Sequence, residues 1–219
     1  MFYNIIAVIF LIILCICIVK QIEYNEYIKS NNNVLIKGYT LSKTCSYLHI
    51  DNDTKKYKIK KLKLLEPYEC KHYINSLVKD VEKRGGYDLN RHDNYPTTDK
   101  EVTGDWEAFP MIKKLWHEKI KLEFSKLFNI RYTSLINVTE IFFVKYTYAE
   151  NMQKSLAPHK DGSEMSFIIA LNDEYTGGGT NFIKTDITIK LNIGECLLFS
   201  GKERHQGLPI TRSEEHTSE

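Results

Sequence analysis

The 219 residues contain no Cys-x-x-Cys pair, no cysteine–histidine zinc spacing and no internal repeat, so neither a zinc module nor a repeat array accounts for the chain. Charge of one sign is lacking too. Lys and Arg number 30 against 28 Asp and Glu, a formal net charge of +2. That balance does not suit a protein that binds nucleic acid by neutralising phosphates. The one local excess is Lys55 to Lys63, KKYKIKKLK, which reads as the solvated face of an edge strand, with a membrane or polyanion contact as the alternative.

Hydrophobic sequence is not scarce: 42% of the residues are apolar, and Phe2 to Val19, FYNIIAVIFLIILCICIV, is almost entirely so. No basic stretch precedes this run and no small-x-small cleavage site follows it, so an uncleaved transmembrane signal-anchor over residues 1–20 is expected rather than a removed signal peptide. The flanking charges leave the topology open. Cys15 and Cys17 fall inside the run, leaving Cys45, Cys70 and Cys196. Cys45 and Cys70 could pair in an oxidising lumen, with unpaired thiols as the alternative. The sequons at Asn52 and Asn137 matter only in that same compartment.

Residues 21–65 read as a polar stalk, QIEYNEYIKSNNN, followed by short alternating runs that form two or three strands, either part of the main domain or a small extension. From Glu66 the period changes. Pro67 opens a helix in which Cys70, Tyr73, Ile74, Leu77, Val78 and Val81 share one face until Gly85-Gly86 ends it. A second amphipathic helix is expected over Phe109 to Phe128, with Ile112, Leu115, Trp116, Ile120, Phe124 and Leu127 on its apolar side. His117 lies on it without a partner at ligand spacing and reads as structural or exposed. Beyond Asn129 the chain turns to strands at Val138–Tyr148, Met165–Leu171, Thr180–Lys184 and Ile187–Ser200, punctuated by Gly177-Gly178-Gly179 and Asn192-Ile193-Gly194. Helices first and strands afterwards predict an α+β domain whose sheet closes into a jelly roll, the double-stranded β-helix.

Chemistry concentrates in PHKDGS, Pro158 to Ser163, and in a histidine 46 residues after the first, His205 in KERHQG. Residues two apart on an extended chain point to the same side, so His159 and Asp161 can reach one metal, and His205 must come from a distant strand. Two histidines and one carboxylate form a facial triad. Fe(II) held that way keeps adjacent positions open for a keto acid and O2. A His-x-Asp triplet alone is more often a surface turn. Here an apolar strand follows it at once, then a triple-glycine turn, and the run ECLLFS leads to the second histidine, the order a jelly roll needs.

Three blocks resemble the catalytic domain of procollagen lysyl hydroxylases and the wider prolyl and lysyl hydroxylase group of 2-oxoglutarate oxygenases. They are YPTTDKEV at Tyr95 to Val102; FFVKY with SLAPHKDGSEMSFIIALN; and YTGGGTNF with ECLLFSGKERHQGLPITR. The likeness spans Glu66 to Arg212. It implies His159, Asp161 and His205 on iron, Fe(II) and L-ascorbate as cofactors, 2-oxoglutarate as cosubstrate and a protein or peptide substrate, peptidyl lysine in collagen-like sequences. Tyr146 is the candidate contact to 2-oxoglutarate, with core packing as the alternative. The rival readings are a peptidyl-prolyl 4-hydroxylase and a membrane-tethered jelly-roll protein without turnover. The expected location is a single-pass membrane protein with its catalytic domain in the endoplasmic reticulum lumen.

The resemblance breaks at the end of the chain. Ten positions past the second histidine the family carries an arginine for the distal carboxylate of 2-oxoglutarate; here that position is Glu215, which would repel it. The tail RSEEHTSE, residues 212–219, resembles the translation of a sequencing-library adapter, so the dioxygenase domain is expected over residues 66–211, truncated before its last strand. Arg212 or Arg204 then becomes the candidate anion partner.

Overall fold

The computed structural model describes residues 7–16, 58–89 and 97–213, and of residues 7–16 and 212–213 the backbone. Its frame is a six-stranded sheet built from β1 (Ala7–Ile16), β2 (Lys60–Lys63), β3 (Asp99–Glu101), β4 (Glu140–Tyr148), β6 (Met165–Ala170) and β10 (Glu195–Ser200), in the order β2-β10-β6-β1-β4-β3. A four-stranded sheet lies against it, β5 (Leu156–His159), β11 (His205–Gly207), β8 (Thr180–Phe182) and β9 (Ile187–Ile189), in that order. Two short strands, β7 (Tyr175–Gly177) and β12 (Ile210–Ser213), make a third ladder beside them.

Alternation along the long strands sorts the core into two layers, because successive side chains leave a strand on opposite faces. Ile141 and Phe143 of β4, Phe167 and Ile169 of β6, and Cys196 and Leu198 of β10 pack with the helices. Their neighbours Ile168, Ala170, Leu197 and Phe199 face the other way and pack with Phe182 and Leu191 between the sheets. A sheet covered on both faces needs apolar residues on both, which is why these strands read as continuous hydrophobic runs.

The first expected helix is α1, Pro67–Lys83, with Pro67 at its first position and the Glu66 amide donating to Glu69 Oε2 at 2.7 Å. The second is three contiguous pieces: α2 (Phe109–Leu115), a π turn over Trp116–Ile120, and α3 (Lys121–Phe128). Trp116 there stacks on Phe167 of β6, ring centroids 6.4 Å apart at 11°. Asp80 joins α1 to the start of α2: its carboxylate, 1% exposed, accepts from the Glu107 and Ala108 amides at 3.1 and 2.9 Å and from Arg84 at 3.2 Å.

Two sequence expectations change, and two questions the sequence left open are answered. Ala7–Ile16, expected inside a membrane helix, is the strand β1 between β4 and β6, antiparallel to both. Five of its ten residues are β-branched, and an apolar run of that length fits an interior strand covered on both faces as well as it fits lipid. Among the described residues no helix is long and apolar enough to cross a membrane. The remainder of that run and the stalk lie outside the described residues. Lys60–Lys63, left open between the main domain and a small extension, is the edge strand of the main sheet, pairing with β10. Ile187 to Ser200 divides into β9 and β10 around the Asn192–Gly194 turn. Cys70 is a free, buried thiol, as is Cys196, while Cys45 lies outside the described residues.

Candidate metal centre

His159 ends β5 and His205 begins β11, and the two strands pair so that these histidines stand directly opposite each other. Their ring centroids are 4.4 Å apart. Asp161, two residues past His159, turns its Oδ1 to within 3.4 Å of His159 Nε2 and 3.8 Å of His205 Nε2. One donor atom from each of the three lies within 4.8 Å of the other two. The structure thus brings together the three residues singled out from the sequence.

The donor set suits a divalent metal. His159 Nδ1 sits 2.8 Å from the Ala157 carbonyl and His205 Nδ1 2.9 Å from that of Glu203. A carbonyl only accepts, so each ring holds a proton at Nδ1 and turns Nε2 toward the centre, the usual arrangement around ligating imidazoles. Burial disfavours charge on Asp161, yet hydrogen bonding with His159, the nearby His205 and the Ser166 hydroxyl outweigh it and hold the carboxyl below its ordinary range. The histidines diverge. Burial lowers His205, whereas at His159 the hydrogen bonds to Asp161 and Ala157 overcome burial and raise it.

A cavity of about 70 Å³ opens beside the triad, room for several water-sized groups. Ile168, Leu191, Phe199 and Leu208 supply apolar walls, and Tyr146, Tyr175 and Thr180 bring hydroxyl-bearing side chains. Tyr146 lines the cavity and is also a core residue, 6% exposed and packed with Phe142, Val144, Tyr175 and Ile210. Burial, with a contribution from Asp99, raises its phenol, and burial pushes Tyr175 up to about 12. No lysine or arginine is among the described lining residues. Arg204 is exposed and outside the lining, and Arg212 lies on β12 opposite Thr176 of β7.

Sequence reasoning missed Tyr175 and Thr180, which flank the triple glycine, and the serine that holds Asp161. The three glycines do carry a signal: all have φ between +66° and +103°, a region closed to most side chains, and a Cβ on Gly177 would stand 2.6 Å from the Pro209 carbonyl. This turn brings Thr180 onto the cavity wall. His117 is exposed on the π turn, as expected.

No protein-family model matches the chain. Among curated proteins it is 31% identical over 185 residues to a procollagen lysyl hydroxylase and glycosyltransferase of Acanthamoeba polyphaga mimivirus, 77% of this chain and 19% of that protein. It is 31% identical over 158 residues to procollagen-lysine,2-oxoglutarate 5-dioxygenase 1 of Homo sapiens, 63% of this chain and 20% of that protein. Over 165 residues it is 27% identical to a multifunctional procollagen lysine hydroxylase and glycosyltransferase of Caenorhabditis elegans, 67% of this chain and 22% of that protein. The chain spans about a fifth of the length of these relatives. Among solved structures, the viral collagen prolyl hydroxylase of Paramecium bursaria Chlorella virus-1, in its 2OG complex, shares the fold with a TM-score of 0.50 at 21% identity, covering 73% of this chain and 90% of that one. In sequence and in fold alike, the chain resembles the Fe(II)- and 2-oxoglutarate-dependent prolyl and lysyl hydroxylases.

Proposed function

We propose that this chain is an Fe(II)- and 2-oxoglutarate-dependent dioxygenase that hydroxylates a protein side chain, namely peptidyl lysine in collagen-like sequences. The observation that carries the reading is the convergence of His159, Asp161 and His205 on the wall of a largely apolar cavity. Lysine is favoured over proline by the names of the sequence relatives, procollagen lysyl hydroxylases. Proline is the second reading, favoured by the shared fold with a viral collagen prolyl hydroxylase.

In this reading His159 Nε2, His205 Nε2 and Asp161 Oδ1 are the atoms that would hold Fe(II). Iron bound there would supply the oxidation, in which O2 and 2-oxoglutarate would be consumed, one oxygen atom going to the hydroxylated substrate and the other to succinate with loss of CO2, and ascorbate would keep the metal ferrous. The protein's own share is placement. Ile168, Leu191, Phe199 and Leu208 keep the cavity dry, which strengthens every polar interaction inside it. Tyr146 and Thr180 are the candidate hydroxyl contacts for the keto acid. Its distal carboxylate calls for a cation from outside the described lining, and Arg212, two residues past the lining residue Ile210, is the candidate already nominated from the sequence.

The test is turnover with Fe(II), 2-oxoglutarate, ascorbate and collagen-like peptides carrying either lysine or proline. Hydroxylation of the lysine peptide, lost in His159→Ala, is expected. Hydroxylation of the proline peptide alone would move the assignment to the prolyl branch. Absence of succinate from the wild-type protein would favour a jelly-roll protein without turnover.

A further inference from the structure

We infer that Ser166, with Ser163 behind it and Gly201 beneath them both, is a positioning device that turns Asp161 so that one carboxylate oxygen alone faces the metal. This rests on the metal-binding reading of the triad and concerns how that geometry is set.

Ser166 is a hydroxyl in an otherwise apolar strand, 0% exposed between Met165 and Phe167. A buried hydroxyl without a partner is costly, so its presence demands one. It donates to Asp161 Oδ2, while the other oxygen, Oδ1, is the one set against both histidines. With its single hydrogen committed there, its oxygen is left to accept, and Ser163 Oγ lies 2.9 Å from it. Ser163, 1% exposed, is therefore the donor in that pair. Two hydroxyls point in sequence toward one carboxylate oxygen and leave Oδ1 for the centre.

The same loop is clamped to the end of β10. The Asp161 amide donates to the Gly201 carbonyl at 2.8 Å, and the Gly201 amide donates to the Glu164 carbonyl at 3.0 Å. A Cβ on Gly201 would sit 2.5 Å from the Ser163 carbonyl, 2.8 Å from Ser163 Oγ and 2.9 Å from Ser166 Oγ. Only a residue without a side chain lets the serine pair and the β10 terminus approach this closely. Four residues past Gly201 stands His205, so the contact also ties the His159–Asp161 segment to the segment that carries the third ligand.

The experiment titrates Co(II), a spectroscopic stand-in for Fe(II), into the full chain under anaerobic conditions. Wild type is compared with Ser166→Ala, Ser166→Thr and Ser163→Ala, reading affinity by calorimetry and coordination by the visible absorption bands. Circular dichroism of the metal-free proteins checks folding. Ser166→Ala is expected to weaken Co(II) binding about 10- to 100-fold, the range for removing a partner of a metal ligand, and to change the band intensities as Asp161 rotates. Ser166→Thr keeps the hydroxyl and is expected to restore the wild-type spectrum, while Ser163→Ala produces a smaller loss of the same kind. A folded Ser166→Ala protein with wild-type affinity and spectrum overturns the positioning role. Should Ser166→Ala fail to fold, a Ser163→Ala protein with an unchanged spectrum overturns it instead. Wild-type protein that takes up no Co(II) overturns the metal reading itself, a distinguishable result.

Discussion

The two faces of the six-stranded sheet are made by the same strands and do different work. Toward the helices, Phe143, Phe167 and Leu198 meet Trp116 and Phe124 in a layer of interlocked apolar volume. Toward the cavity, the alternate positions of those strands carry Tyr146, Ser166, Ile168 and Phe199, a mixture of walls and aimed polar groups. One face is judged by how well it fills space, the other by where a few atoms point. Substitutions on the first should therefore cost stability, and on the second function.

The sharpest break of that comparison is His159→Ala, which removes one of three ligands. It is expected to lower turnover by about a thousand-fold or more, the scale of several kcal/mol that a catalytic metal supplies, with little change in unfolding temperature of the metal-free protein. Steady-state succinate formation and a thermal melt check both halves. Phe167→Ala should behave in the opposite sense. Its ring, 1% exposed, packs on Trp116 and Phe124, and its loss is expected to cost about 3–5 kcal/mol in urea unfolding. If the metal-free Phe167→Ala protein were as stable as wild type, the division between the faces would fail.

A smaller effect is expected at the helical joint. Asp80→Ala leaves the Glu107 and Ala108 amides and Arg84 without their shared acceptor, a loss of about 2–3 kcal/mol by the scale of hydrogen bonds to charged groups, again read by urea. The mildest effect is alkaline. Burial raises the Cys70 thiol from 9.0 to about 11 and the Tyr73 phenol from 10.0 to about 12. Both groups stay neutral longer in the folded chain than in the unfolded one, so their contribution is complete below pH 9 and is lost as pH rises toward 11 and 12. Stability measured across pH 8 to 12 should fall in that window. Both groups belong to the helix-packed layer, so Cys70→Ala is expected to flatten the first part of the decline.

Much of the helix-packed half was legible because periodicity reports burial. The apolar face of Pro67–Lys83 reappears with Cys70, Tyr73, Leu77 and Val81 in the core. The break of the second helix into a π turn was not legible, since apolar residues three and four apart fit a continuous α-helix equally well and the difference lies in backbone hydrogen bonding. The iron-ligand candidates were legible because His-x-Asp on an extended chain is local geometry. The cavity wall was not: Tyr175 and Thr180 reach it through a turn of three left-handed glycines packed on Pro209, far along the chain.

The apolar run near the N-terminus shows where such reading stops. Hydrophobicity says that Ala7–Ile16 must leave water, and both lipid and a sheet interior satisfy that demand. Composition, the amphipathic helices, the strand-rich second half and the chemistry of His159, Asp161 and His205 were determined by the sequence alone, since each depends on residue type and short spacing. The pairing of β5 with β11, the place of β1 between β4 and β6, and the orientation of Asp161 by Ser166 were decided only in three dimensions. Each of these joins residues whose separation along the chain carries no information about which surface or strand edge they will meet.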